Sequence, residues 1–382
     1  MAAQGRAHDP FADLKPLLDE ADLVVGNMET VLARSGQPRE DKLCLRTHPD
    51  YACALATSGV TLLSLANNHC LDYGPEALAE TRNHLETAGI AILGAGSNIA
   101  EATRPIVLER EGLRIGFIAA CHESTKPAPA ATADSPGIAP LSEGALFAAI
   151  DDLKPKVDHL VLLLHWGLEY ANYPTPEQAS LARRAIDQGA SIILGHHSHA
   201  LQGIEAYGGG VIAYSLANLT DADVDWQGPT KRYRAELTEV DRESVLLRLR
   251  LTRDAVEMLP VVPLWLDDDG RPTPAVGARA EKIERQLAEY SDRLSDSDLD
   301  AFWQEEVIRG RVSGPLQDWW STGSLWDKLK GFRPGQLVTL YLLAQTYLKI
   351  RFSHSESKWL LFNSRNDTRP MPSSEREEMR ER

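Results

Sequence analysis

Residues 160–199 read LVLLLHWGLEYANYPTPEQASLARRAIDQGASIILGHHSH. The stretch holds two short aliphatic runs, 160–164 and 192–194, on either side of a helical segment, 176–188. The runs are too short for helices and carry no alternation, the pattern of strands buried on both faces. Pro176 suits the first turn of a helix, and Gly189 is a natural stop. Strand, helix, strand is the repeating unit of a parallel sheet, so the domain is α/β. The pattern extends outward. Further strands are expected at 23–26, 61–66, 90–93, 106–108, 115–120 and 211–215, and a helix at 75–88. Residues 126–140, rich in Pro and Ala, read as a surface loop. Residues 244–252 alternate like one half-exposed antiparallel strand.

Composition narrows the class. The 382 residues carry 40 Lys+Arg against 55 Asp+Glu, a net charge of −15, with 43% hydrophobic residues. Such a chain can bury a sizeable core. Its acidity argues against a sequence-independent grip on nucleic acid. The longest apolar candidate for a membrane span, 337–350, is interrupted by Gln345 and Lys349 and falls short of the roughly 18–20 residues required. The first residues lack the apolar core of a secretory signal. Cys44, Cys53, Cys70 and Cys121 form no CxxC pair, which favours reduced thiols and a cytoplasmic location. Beyond about residue 266 the character changes. Helical segments at 278–290, 298–309 and 336–351 make a helical extension over 267–372, ending in a charged tail, 373–382. The main domain is 1–266.

The polar residues sit where strands end. Gly26-Asn27-Met28-Glu29, Ala66-Asn67-Asn68-His69, His165-Trp166-Gly167, Gly195-His196-His197-Ser198-His199 and Leu216-Ala217-Asn218 each follow an expected strand. In α/β sheets, ligands bind just beyond the carboxyl ends of strands. Each element has a bland reading. A lone HxH is often a surface feature, His165 could be a core histidine, and Asn68-His69 could be a turn or cap. Their joint occurrence at strand ends points to one polar or metal site.

The segments 23–32 (LVVGNMETVL), 63–96 (LSLANNHCLDYGPEALAETRNHLETAGIAILGAG), 162–205 and 211–219 (VIAYSLANL) resemble the signature segments of the CapA-type family. This is the poly-γ-glutamate capsule-synthesis group within the calcineurin-like metallophosphoesterase superfamily. The likeness covers residues about 9 to 220. It implies a four-layer α/β sandwich holding one or two divalent ions, with Mn, Fe, Zn and Mg all compatible with mixed N/O ligands. By motif, Glu29, Asn68, His165, His197 and His199 match metal ligands. His69 matches the histidine that stabilises the transition state or protonates the leaving group. His196 is read as lying behind the ligands. Asp72 is placed either to orient His69 or to cap the next helix, and the cap is favoured. Asn27, Glu169, Tyr170 and Asn218 are supporting candidates.

The sequence departs from the family pattern in two places. The family's first strand, with a Gly-Asp motif, is not found ahead of Asp9-Pro10-Phe11; His8 and Asp9 are the only nearby substitutes. Asn27 stands where phosphoesterases carry a bridging aspartate, a shift typical of this family. The resemblance implies a metal-dependent hydrolase that uses metal-bound hydroxide on a phosphoester or γ-glutamyl-type amide. The alternative is a non-catalytic component of capsule-type polymer synthesis. Expected partners are a small-molecule or polyglutamate-like substrate and polymer-synthesis proteins. Arg46, Lys126, Lys231, Arg232 and Arg234 are the cations available to receive an anionic substrate.

Overall fold

The computed structural model describes residues 10–40, 42–228, 232–294 and 299–303. In chain order the main elements are β1 (Val25–Asn27), α1 (Tyr51–Thr57), β2 (Leu62–Ser64), α2 (Gly74–Thr87), β3 (Ala91–Leu93), β4 (Ile106–Arg110) and β5 (Leu113–Cys121). There follow α3 (Glu143–Leu153), β6 (His159–His165), α4 (Pro176–Gln188), β7 (Ile192–His196), β8 (Ile204–Tyr207) and β9 (Gly210–Ala213). The hairpin β10–β11 (Val224–Gln227, Arg232–Ala235) comes next, then β12 (Glu243–Leu246), β13 (Leu249–Leu251), β14 (Val256–Met258), β15 (Val262–Leu266) and β16 (Pro272–Pro274). The helix α5 (Ala278–Leu294) closes this series.

Two sheets stack. The smaller is fully parallel, ordered β1-β2-β3, with Val25 opposite Leu62 and Leu62 opposite Ala91. The larger is ordered β8-β9-β7-β6-β5-β4. Its centre is parallel, with Val161 opposite Phe117 and Ile192, while β4 and β8 run antiparallel at the edges. Every residue of β6 is buried, which is why its sequence is a continuous apolar run rather than an alternating one.

The pleat sorts these side chains. Phe117, Ala119, Val161, Leu163 and Ile192 share one core with Leu62 and Leu63 of the small sheet and with Leu78 and Leu85 of α2. On the other face of the large sheet, a Cβ on Gly116 would stand 2.9 Å from Leu153, and one on Gly210 2.9 Å from Ile186. The missing side chains let α3 and α4 settle against the strands. The result is four layers: α1 and α2, the small sheet, the large sheet, then α3 and α4. This mixed α/β sandwich is the expected fold class.

Local chemistry explains the best-defined helix. Thr175 accepts from the backbone N–H of Gln178, and the Gln178 side chain accepts from that of Thr175, a capping box ahead of Pro176. Gly189, at φ 123°, ends the helix.

Two expectations need correcting. The run 126–140 is not confined to the surface: Ala128, Ala131, Ile138 and Ala139 are buried, and Gly137–Ile138 pairs with Ala95–Gly96. Alanine and glycine are small enough to let this irregular backbone tuck in. The stretch 244–252 is not one strand either. It changes partner after Leu246, with β12 pairing β15 and β13 pairing β14.

Helix α5 packs Ile283 and Leu287 against Leu201, Ile204, Val211 and Val245. It thus shares a core with β8 and β9, within a compact unit that includes the described residues up to Leu294; a second unit begins at Ser295. Of that second unit only a helical turn, Leu299–Phe302, and Trp303 are described. The helical segment expected at 336–351, most of that at 298–309, the tail 373–382, and His8 and Asp9 lie outside the described residues. No helix among the described residues is long and apolar enough to cross a membrane.

Candidate metal centre

The parallel strands β1, β2, β6, β7 and β9 present their carboxyl ends at one edge of the sandwich, where the expected polar residues meet. The backbone there is unusual. Among the described non-glycine residues with positive φ are Tyr170 (57°), His197 (98°), His199 (53°) and Ala217 (62°), on three loops at this edge. Left-handed backbone is costly for side chains of this size and persists where surrounding contacts over-determine it. The loop after β6 is tied to the loop after β7 by three bonds. Tyr170 N–H donates to the Ser198 carbonyl at 2.5 Å, Gln202 Nε2 to the Ala171 carbonyl at 2.7 Å, and Asn172 Nδ2 to the Leu201 carbonyl at 3.2 Å.

At the centre stands Glu29. His165 Nε2 lies 2.9 Å from Glu29 Oε1 and 2.9 Å from Asn68 Oδ1. His199 Nε2 lies 3.7 Å from the other oxygen, Oε2. Glu29, His165 and His197 place ligand atoms within 4.8 Å of one another. The rings of His165 and His197 are 4.8 Å apart, and those of His197 and His199 are 6.2 Å apart. His197 Nε2 is 4.0 Å from Glu169 Oε1. His199 Nδ1 meets Asn218 Oδ1 at 2.8 Å, and Asn218 Nδ2 donates to Asp221 Oδ2 at 2.7 Å. The Tyr170 ring centre is 6.0 Å from that of His199.

Burial and charge act against each other here. Burial tends to raise the Glu29 pKa, but the His199 and His165 imidazoles, the latter also by its hydrogen bond, and then His69 hold it well below the usual carboxylate range. Burial lowers His165 and, most strongly, His197, where His165 and His199 add repulsion. His196 is pushed down to about 3 by burial and by His165. These imidazoles are neutral near pH 7, the form that binds metal. His199 differs. Burial works to lower it, but Glu29, Glu169, Asn218 and Asp221 outweigh burial and push it up to about 9.

The set fits a divalent cation. His165 Nδ1, His197 Nδ1 and His196 Nε2 are buried without a hydrogen-bond partner, a cost that a well-folded interior avoids unless something else engages the group. Two donors on one ion at about 2.1 Å are ~3.0 Å apart when adjacent and ~4.2 Å apart when opposite. The separations of 2.9, 3.7 and 4.0 Å all lie near or within that span. Mixed imidazole and carboxylate donors suit first-row metals and zinc.

Beside this cluster His69 is held by a second set of contacts. Its Nδ1 lies 2.7 Å from Asp72 Oδ2, which also accepts from Leu45 N–H at 2.7 Å. Asp72 Oδ1 receives Lys42 Nζ at 2.9 Å, and the same ammonium donates to the Asn68 carbonyl at 2.7 Å. Asp72 does not cap the following helix. The N-cap of α2 is Tyr73, without a side-chain cap bond, because the Asp72 carboxylate is spent on His69, Leu45 and Lys42.

Asn27 Oδ1 accepts from Asn67 Nδ2 at 3.3 Å. Asn67, fully buried, also donates to the Met28 carbonyl at 2.6 Å and accepts from His69 N–H at 3.0 Å. It clamps the Glu29 loop to the His69 loop. Asn67 stands in a quoted motif and carries that much signal. Lys42 and Asp221 carried none. Of the cations expected to receive substrate, Arg232 pairs with Asp225 at 2.9 Å and Arg234 with Glu236 at 3.1 Å. Lys231 lies outside the described residues, and Lys126 is exposed. The Arg46 guanidinium lies 4.2 Å over the Tyr73 ring.

Comparison with known proteins agrees with the sequence resemblance. Residues 1–223 match the family model described as bacterial capsule synthesis protein PGA_cap. The capsule biosynthesis protein CapA of Bacillus anthracis is 30% identical over 305 residues, 78% of this chain and 69% of that protein. The PGA biosynthesis protein CapA of Bacillus subtilis (strain 168) is 32% identical over 294 residues, 76% of this chain and 73% of that protein. Among solved structures, the NAD nucleotidase NadN of Haemophilus influenzae has a TM-score of 0.40 at 14% identity, covering 80% of this chain and 65% of that one. With the family model spanning more than half of its length, and two relatives matched over more than two thirds of theirs, the chain belongs to the bacterial capsule synthesis protein family.

Proposed function

We propose that this chain is a divalent-cation-dependent hydrolase of capsule-type polymer metabolism, acting on a phosphoester or a γ-glutamyl-type amide. The observation that carries the reading is the convergence of Glu29, Asn68 and His165, with His197 and His199 alongside, from distant parts of the sequence. Glu29, Asn68, His165 and His197 would hold the ion, and His199 flanks it. When bound, the ion would supply Lewis acidity and lower the pKa of water, so that hydroxide is available as the nucleophile near neutral pH.

The remaining work falls to the protein. Asp72 accepts the Nδ1 proton of His69, which fixes the ring and leaves Nε2 to carry the second proton. Protonated His69 gives that proton to the leaving group, and Lys42 holds Asp72 from its other oxygen. The tied loops after β6 and β7 keep the imidazoles in place through turnover. The substrate is a small molecule or a polyglutamate-like polymer, and the partners are polymer-synthesis proteins. Four free cysteines support a reducing compartment.

One feature favours a second reading, an accessory cation-binding component without turnover. Asn27 is an amide bonded to Asn67, where hydrolysis would benefit from another carboxylate. The test is hydrolysis of a phosphoester and of γ-glutamyl amides by the purified chain, with and without chelator, and by His69→Gln. Chelator-sensitive turnover that His69→Gln lowers by about 10²–10⁴-fold supports the hydrolase. A metal-loaded chain without turnover on either class supports the accessory reading.

A further inference from the structure

We propose that Arg46 is a specificity-determining residue of this site, receiving a carboxylate carried by the leaving-group part of the substrate. The inference rests on the hydrolase reading above, in which His69 protonates the leaving group, and names a side chain outside that machinery.

Three contacts tie Arg46 to the residues that hold His69. The preceding residue, Leu45, donates its N–H to Asp72 Oδ2 at 2.7 Å, the same oxygen that meets His69 Nδ1. Arg46 itself pairs in parallel with Val31, two residues after Glu29. Its guanidinium rests 4.2 Å from the centre of the Tyr73 ring, and Tyr73 directly follows Asp72. Tyr73 is only 7% exposed and packs with Val31, Ala77 and Trp226, so the platform under the guanidinium is fixed. His199 is held instead by Asn218, backed by Asp221. The imidazole that gives its proton to the leaving group and the cation over Tyr73 thus share one support.

The charge of Arg46 is left for a ligand. The residue is exposed, and no carboxylate among the described residues pairs with it, whereas Arg232 and Arg234 are paired with Asp225 and Glu236. Stacking on Tyr73 engages the face of the guanidinium and leaves its edge of N–H donors for an acceptor in the plane. That edge matches the two oxygens of a carboxylate. A phosphate dianion would call for a second cation, and Lys42, which also stands beside His69, is committed to Asp72 Oδ1 and the Asn68 carbonyl. The chain has a net charge of −15, and Glu29, Asp72, Glu169 and Asp221 surround the histidines. An anionic group is repelled from such a site unless a cation receives it.

The test uses two substrate pairs that differ only in a leaving-group carboxylate: γ-glutamyl-alanine against γ-glutamyl-ethylamide, and 2-phospholactate against ethyl phosphate. Turnover by the full chain in Mn²⁺ and calorimetric binding are each read as the ratio within a pair. A merely structural lesion lowers both members equally and leaves that ratio as it was. The wild type is expected to favour the carboxylate-bearing member about tenfold in kcat/KM for the pair it turns over, and Arg46→Gln to bring the ratio close to one. Arg46→Lys keeps the charge without the planar fork and should fall between the two; it carries the comparison if Arg46→Gln does not fold. A wild type without the preference, or a variant that keeps it in full, overturns the assignment and leaves the hydrolase reading standing. A wild type that turns over neither pair overturns the hydrolase reading, and the binding ratio then decides Arg46 by itself. A preference in binding that Arg46→Gln abolishes upholds Arg46 as the carboxylate receptor, and equal affinities in both pairs overturn it.

Discussion

Asp72 Oδ2 lies 2.7 Å from His69 Nδ1, and the two side chains are 0% and 10% exposed. The pair lies beside Asn68, which bonds His165 across 97 positions of sequence. A buried carboxylate in this position fixes the tautomer and orientation of the ring. Asp72→Asn keeps the volume but presents an amide to Nδ1. It is expected to lower turnover about tenfold to a hundredfold, with metal content unchanged. Metal analysis beside kinetics checks this, since a metal site disrupted as a whole would lose both together.

His199 depends on Asn218 in a comparable way, through the 2.8 Å contact at Nδ1. Asn218→Ala leaves that nitrogen without its partner. A tenfold to hundredfold weaker cation affinity is expected. Competition titration with a chromophoric chelator measures it, and an unchanged affinity would remove His199 from the site.

Away from the site, Glu80 fastens α2 to the chain after β1. Its carboxylate accepts from the Ser35 hydroxyl and from the backbone N–H groups of Arg34 and Ser35. Led by the Ser35 hydroxyl bond, these contacts lower its pKa from the ordinary 4.5 to about 2. A depressed folded-state value stabilises above the unfolded value, and the contribution is lost as pH falls from about 4.5 towards 2. Glu80→Gln should therefore cost about 1 kcal/mol above pH 5, given solvent screening of a partly exposed group, and flatten stability between those limits. Urea unfolding at pH 7, 4 and 3 reads this directly. An equal loss at all three values would contradict it.

Much of this architecture was legible because its signals are local. The apolar run of β6, the Thr175-Pro176 start of α4 and the Gly189 stop each depend on a few neighbouring residues. The strand-end histidines followed from them. Asp72 misled because its spacing ahead of α2 suits a cap, and only the folded chain brings Lys42 and Leu45 to compete for its oxygens. Lys42 and Asp221 sit in unremarkable polar stretches; Lys42 reaches the site through tertiary packing, and Asp221 through its bond to Asn218 three residues earlier. The run 126–140 has a loop's composition, yet its small side chains let it bury.

The central claim is that Glu29, Asn68, His165 and His197 hold a cation. Elemental analysis of protein purified without chelator, for the wild type, His165→Ala and His197→Ala, tests it most directly. At least one equivalent of a divalent metal in the wild type, lost from both variants while their circular dichroism is retained, is the predicted result. A metal-free wild type that also takes up none on incubation with Mn²⁺ or Zn²⁺, or variants that keep their metal in full, would contradict the account.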